Sequence, residues 1–153
     1  MFVSLPQDVL NQTLDFEYVP NTPHFSKLRP GCEAINQAVS LLLKAKSPAI
    51  IVESGVARND ALSEVVKLTE LIGARVYQPW MADVNFPVNH PQYLGDIDPT
   101  HPKTREILQL VDVLIGMGCP LFSQAMYLPE PIIAKHTRII GSFSFQVGNP
   151  TLL

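Results

Sequence analysis

Ser47-Pro48-Ala49-Ile50-Ile51-Val52, then Asn59-Asp60, a helical run closing at Ile72-Gly73, and Arg75-Val76-Tyr77 are the residues that decide the fold. Ala49 to Val52 is a continuous apolar run, the pattern of a strand covered on both faces in a parallel sheet. Leu62, Val65, Val66, Thr69 and Ile72 recur at helical spacing. Asn59 and Asp60 are residue types that cap a helix N-terminus, and Gly73 stands where a glycine closes a helix. Strand, helix and strand in this order imply a right-handed crossover between parallel neighbours.

The same alternation extends outward in both directions. Ile35, Ala38, Val39 and Leu42 mark a helix after Pro30-Gly31, with Lys44 and Lys46 suited to its C-terminus and Ser47-Pro48 to its end. Residues 79 to 102 hold five prolines and are expected to be irregular. His101-Pro102 then opens a third helix whose inner face is Ile107, Leu108 and Val111. Asp112-Val113-Leu114-Ile115-Gly116 is another buried strand, Pro131–Lys135 an expected short helix, and Arg138-Ile139-Ile140 the last strand. Together these give an α/β fold, an open doubly wound (Rossmann-like), mostly parallel sheet with helices on both faces. Ile50, Val52, Val76, Val113, Ile115 and Ile139 are expected to be buried in it. Phe2–Pro6 is a short apolar strand with no hairpin partner nearby, and residues 11 to 30 form a connector punctuated by Pro20, Pro23 and Pro30. Residues 1–30 therefore divide from a domain over 31–153.

A chain of 153 residues fits one domain, and 46% apolar against 16% charged residues describes a packed globule. That charge is low for a surface wholly in water, so part of it is expected to face other domains. With a net charge of −3 and no run of Lys or Arg, nucleic acid and anionic membrane are poor partners. The apolar runs fall far short of the ~20 residues of a membrane span. The N-terminus has no signal-peptide pattern, so a cytoplasmic location is expected. Cys32 and Cys119 are expected to be buried free thiols. His24, His90, His101 and His136 show no metal-ligand spacing.

Three places invite a functional reading. The turn Glu53-Ser54-Gly55-Val56-Ala57-Arg58-Asn59 lies where phosphates meet a helix N-terminus in doubly wound folds. A dinucleotide fingerprint needs further glycines where Ala57 and Asp60 stand, and an acid where Tyr77-Gln78 ends the next strand. A plain strand-to-helix turn fits better. Gly116-Met117-Gly118-Cys119-Pro120 also ends a buried strand, and its glycines allow close approach of a ligand or of another backbone. Cys119 as a nucleophile needs a base, and His136 lies well beyond it in sequence, so a structural thiol is favoured. Asp96-Ile97-Asp98 pairs two carboxylates with nothing nearby to complete a cation loop. Loop acids capping the following helix are expected instead. Arg29, Arg58 and Arg75 are scattered and carry no assigned role. On the residues alone, no catalytic, cofactor-binding or metal-binding side chain is assigned.

In order and spacing these residues resemble the central domain of thiamine diphosphate-dependent enzymes, the benzoylformate decarboxylase and acetolactate synthase group. Phe2 to Val9 resembles the close of the preceding pyrimidine-binding domain. Ser47 to Gly55, the helix and Val76 resemble the start of the middle domain. Phe86-Pro87, His90-Pro91 and Leu94-Gly95 resemble its proline-rich loop, and Asp112 to Gly116 the strand after it. Pro120-Leu121-Phe122 leans toward the decarboxylase side.

The resemblance implies a parent lyase or carboligase acting on 2-oxo acids, using thiamine diphosphate and magnesium. It implies the pyrimidine- and diphosphate-binding domains as partners, and a homo-oligomer. The diphosphate motif, Gly-Asp-Gly followed by paired asparagines, is absent here. The cofactor-activating glutamate belongs to the preceding domain. A non-catalytic structural role follows for this chain. Two further readings stay open: an FAD- or ADP-binding module, and a small enzyme using Cys119. In flavin-binding members the final strand leads into paired acids, whereas no Asp or Glu follows Glu130 here.

Overall fold

The computed structural model describes residues 8, 11–13, 15, 30–80, 82, 85–119, 121 and 131–142. The expected strand at Phe2–Pro6 and most of the connector lie outside them. Among the described residues there are five strands: β1 (Pro48–Val52), β2 (Arg75–Pro79), β3 (Tyr93–Ile97), β4 (Val113–Met117) and β5 (Arg138–Ser142). They form one sheet in the order β3-β2-β1-β4-β5, and every pairing is parallel. Among the described residues the helices beside them are α1 (Cys32–Leu42), α2 (Gly55–Arg58), α3 (Leu62–Ile72) and α4 (Pro102–Leu108).

The alternation of side chains along a strand divides the core into two. Ile50 and Val52 face Val56 of α2, Val65 of α3, Val76, Phe86 and Ile115, with Leu42 at the end of α1 packed alongside. Ala49 and Ile51 face the other way, toward Tyr77, Ile97, Leu114, Val111 and Leu108 of α4. Each aliphatic side chain buried this completely contributes roughly 1.5–3 kcal/mol. That is why β1 can consist of apolar residues alone: it has helices on both faces. The doubly wound arrangement is as the sequence implies.

Several local expectations are corrected. α1 ends at Leu42 with Leu43 as its C-cap, so Lys44 and Lys46 lie beyond it and Pro48 opens β1 instead of breaking a helix. The Asp112 carboxylate explains the turn, accepting from the backbone N–H groups of Lys46 at 2.6 Å and Ser47 at 3.0 Å. No residue of α1 is buried, and Cys32 is exposed. Asn59 and Asp60 do not cap α3, whose N-cap is Ala61 with no side-chain cap bond. Asn59 instead donates to the Gly55 carbonyl at 2.7 Å, closing the short α2. Gly73 does end α3, with φ +63° in the left-handed region.

The proline-rich segment contains β3, an edge strand whose register against β2 shifts between Val76 and Gln78. Its sequence, Tyr93-Leu94-Gly95-Asp96-Ile97, lacks the apolar continuity of the central strands because only part of it is covered. No helix forms at Pro131–Lys135. Turns there bury Ile132 and Ala134. Ile139 is 39% exposed, because β5 is the last strand among the described residues.

Candidate functional site

Parallel sheets of this kind bind ligands at the carboxyl ends of strands where the winding reverses. Here the reversal lies between β1 and β4, with β2 and β3 on one side and β5 on the other. The turn after β1 and the loop after β4 flank that point, and they are bonded to each other. Glu53 N–H donates to Met117 O at 3.0 Å and Gly55 N–H to Gly118 O at 3.2 Å. A Cβ on Gly55 would lie 2.5 Å from Gly118 Cα, and one on Gly118 would lie 2.6 Å from Val56 N. Both glycines therefore serve close backbone approach, and the backbone they approach is each other's. Of the two uses left open for Gly116-Met117-Gly118, a ligand or another backbone, the second is observed at Gly118.

Cys119 follows directly and is buried, with Sγ 3.6 Å from the Ile51 carbonyl oxygen. Burial, reinforced by the charge of Glu53, pushes its thiol up to about 11. A thiol in that state is almost wholly protonated at neutral pH, which removes the thiolate that nucleophilic chemistry uses. His136 is exposed. At the end of β2, Tyr77 and Gln78 are buried, and the Oε1 atom of Gln78 has no hydrogen-bond partner.

Asp96 of β3 and Asp98 just after it are engaged within the chain. Asp96 accepts from the Tyr93 hydroxyl at 2.8 Å. Burial and this contact push the Tyr93 phenol up to about 12. Asp98 accepts from the Thr100 hydroxyl at 2.7 Å and its N–H at 2.8 Å, which hold the carboxyl below its usual range. The cap of α4 is His101, whose Nδ1 accepts from Lys103 N–H. The expectation that the acids cap this helix is thereby corrected. Trp80, Asp96, Asp98, His101 and Lys103 border a shallow cleft of about 430 Å³ beside Ile107. Trp80 and Lys103 were not singled out by the sequence, although a lone tryptophan at a strand's carboxyl end is a usable signal.

The other singled-out residues hold structure together. Arg75 donates to the Ser47 hydroxyl at 2.5 Å, tying the start of β2 to the turn before β1, and Arg58 is exposed. Arg29, His24 and Pro120 lie outside the described residues. His90 accepts from Gln92 N–H at 3.2 Å and meets the edge of Phe86 at 5.2 Å between ring centres. Gln92, which the sequence reading passed over, donates to the carbonyls of Thr69 and Ala74, both at 2.9 Å.

No group of three or more His, Cys, Asp or Glu side chains among the described residues could hold a metal ion. At the point where the winding reverses, the backbones of Gly55 and Gly118 are in contact with each other. No helix among the described residues is long and apolar enough to cross a membrane.

Comparison with known proteins agrees with this architecture. The family model described as "Thiamine pyrophosphate enzyme, central domain" matches residues 35–142. The acetolactate synthase large subunit of Corynebacterium glutamicum is 33% identical over 123 residues, covering 77% of this chain and 20% of that protein. A sulfoacetaldehyde acetyltransferase of Roseovarius nubinhibens is 29% identical over 120 residues, covering 78% and 20%. The chain thus spans about a fifth of the length of the curated relatives it matches. Among solved structures, benzoylformate decarboxylase from Polynucleobacter necessarius superposes with a TM-score of 0.70 at 20% identity, over 89% of this chain and 26% of that one. The thiamine diphosphate-dependent 4-hydroxybenzoylformate decarboxylase of Rhodococcus jostii gives 0.69 at 22%, over 82% and 24%. With a parallel five-stranded sheet and a family match running from α1 to β5, the chain belongs to the thiamine pyrophosphate enzymes, as their central domain.

Proposed function

We propose that this chain is a non-catalytic structural domain of a thiamine diphosphate-dependent lyase or carboligase acting on 2-oxo acids, of the decarboxylase type. The observation that carries the reading is the family match over residues 35–142 in a chain that spans about a fifth of its curated relatives, joined to a switch point where Gly55 and Gly118 bond to each other's backbone. With Gly55 and Gly118 engaged with each other, the Cys119 thiol protonated and Asp96 and Asp98 bonded within the chain, a scaffold role is the reading these residues support. Thiamine diphosphate and magnesium belong to the flanking pyrimidine- and diphosphate-binding domains of the parent. This domain packs between them and helps shape a homo-oligomer.

The chain alone, supplied with thiamine diphosphate and magnesium, is expected to turn over benzoylformate and pyruvate no faster than the cofactors without protein. Turnover above that background would sink the reading. The nucleotide-module alternative is not favoured, because the turn after β1 keeps only Gly55 of the glycines that let a backbone approach a pyrophosphate, and β2 ends without an acid for ribose hydroxyls.

A further inference from the structure

His90 and His101 bracket β3, and each makes the same turn. His90 Nδ1 accepts from Gln92 N–H and His101 Nδ1 from Lys103 N–H, both at 3.2 Å. A ring nitrogen accepts only while it carries no hydrogen, so both contacts need the neutral imidazole with its proton on Nε2. At His90 that tautomer also suits the second contact, since Nε2 lies 3.4 Å from Oε1 of Glu70 on α3, a carboxylate oxygen that accepts.

Gln92 is the node through which β3 is attached. Its carbonyl accepts from Val76 N–H of β2 at 2.8 Å, and its side-chain amide donates to the Thr69 and Ala74 carbonyls at the close of α3. Among the described residues β3 is an edge strand, and its ladder to β2 is interrupted between Val76 and Gln78, so its attachment leans on these end ties. At the far end, Ile97 O accepts from Trp80 N–H at 3.1 Å, and His101 closes the turn, donating its N–H to Asp98 O at 2.9 Å and capping α4. Glu70 is the charged group that meets His90 from α3, while Tyr93 and Asp96 lie beyond the Phe86 ring. Asp96, Asp98 and Lys103 share the cleft of His101.

Imidazole is the side chain that ordinarily changes charge between about pH 5 and 8. Protonation puts a hydrogen on Nδ1 facing the Gln92 or Lys103 N–H, and two donors cannot bond each other. At His90 the lost bond is exchanged for an ion pair with Glu70, whose side chain is 60% exposed and whose pairing therefore adds little. We infer that the two histidines make the attachment of β3 sensitive to pH. Neutral rings hold the ends of the strand to β2, α3 and α4, and charged rings release them, while β1 and β4 at the centre of the sheet stay in place.

Amide NMR and hydrogen exchange on the chain between about pH 7.5 and 5.5 test this. The Gln92 and Lys103 amide proton signals are expected to move upfield, each in step with the ring signals of its own histidine. Protection of Val76 N–H, corrected for the intrinsic effect of pH on exchange, is expected to fall about fivefold or more over the same range, with the amides of β1 and β4 unchanged. His90→Asn keeps an acceptor for the Gln92 N–H in its side-chain carbonyl but cannot titrate, so Val76 protection should then be equal at both ends of the range. His101→Asn, a good helix cap, should likewise fix the Lys103 amide and leave Gln92 to titrate. A Gln92 amide that does not titrate with His90, unchanged Val76 protection in the native chain, or a loss that persists in His90→Asn would overturn the inference. So would a loss shared equally by β1 and β4, which would mark general unfolding in acid.

Discussion

Asp112 joins three parts of the sheet through backbone groups. Its carboxylate accepts from Lys46 and Ser47, its N–H donates to Ser47 O, and its own carbonyl accepts from Arg138 N–H at 2.8 Å. Partial burial pushes the carboxyl up, but N–H donors from Lys46, Ser47 and Val113 outweigh it and hold it below the usual range. Asp112→Ala is expected to cost about 1–2 kcal/mol at neutral pH, the scale of hydrogen bonds to a charged acceptor with some water access. A depressed carboxyl stabilises fully above its unfolded value of about 3.9 and ceases to as pH falls through the folded value. Thermal melts should therefore show a constant gap between wild type and variant from pH 7 to about pH 5, closing below about pH 4. A gap that widens in acid would contradict this. The sequence showed Asp112 only as the start of a strand, because its partners lie 65 and 66 residues away.

The glycine pair makes a second test at the same scale. Gly55→Ala pushes a methyl to 2.5 Å from Gly118 Cα and is expected to cost about 1–3 kcal/mol, the scale of overpacking. Gly118→Ala meets the same crowding and also requires φ +66°, adding roughly 1–2 kcal/mol. Gly31→Ala, with nothing within 4 Å of the new methyl, should change stability by less than about 0.5 kcal/mol. Denaturant titrations with equal losses at Gly31 and Gly55 would show that the contact is not tight.

At the scale of elements, the central strands were legible, while of the helix ends only the close of α3 at Gly73 and the opening of α4 at His101-Pro102 were. Ile50, Val52, Val76, Val113 and Ile115 are buried as their runs imply, since a strand covered on both faces has no polar positions to confuse the pattern. β3 was missed because it is an edge with Gly95 at φ +102°, and the helix expected at Pro131–Lys135 rested on too few residues to fix a period. α1 and α3 read alike in sequence but differ in what they cover. Val65 of α3 is 6% exposed and Val39 of α1 is 46% exposed. Val65→Ala should cost about 1–2 kcal/mol and Val39→Ala little. Hydrogen exchange in the isolated chain should accordingly be faster in α1 than in β1 or β4, because few buried contacts oppose its local opening. Protection of α1 matching that of β1 would contradict the uncovered face.

For the molecule as a whole, the fold was legible because a central β1 with helices on both faces leaves a two-sided pattern in sequence. The candidate site was legible only in outline. Gly55 and Gly118 could be seen as points of close approach, but their mutual contact joins residues 63 positions apart, and nothing in either motif names the other. The chain spans about a fifth of the length of the curated relatives it matches. On the function proposed here, a domain that leaves cofactor and substrate to its neighbours should bind neither alone. Calorimetric titration of the 153-residue chain with thiamine diphosphate and magnesium tests this most directly, because it does not depend on knowing the substrate. No saturable heat up to millimolar cofactor is the expected result. A dissociation constant in the low micromolar range would contradict the account.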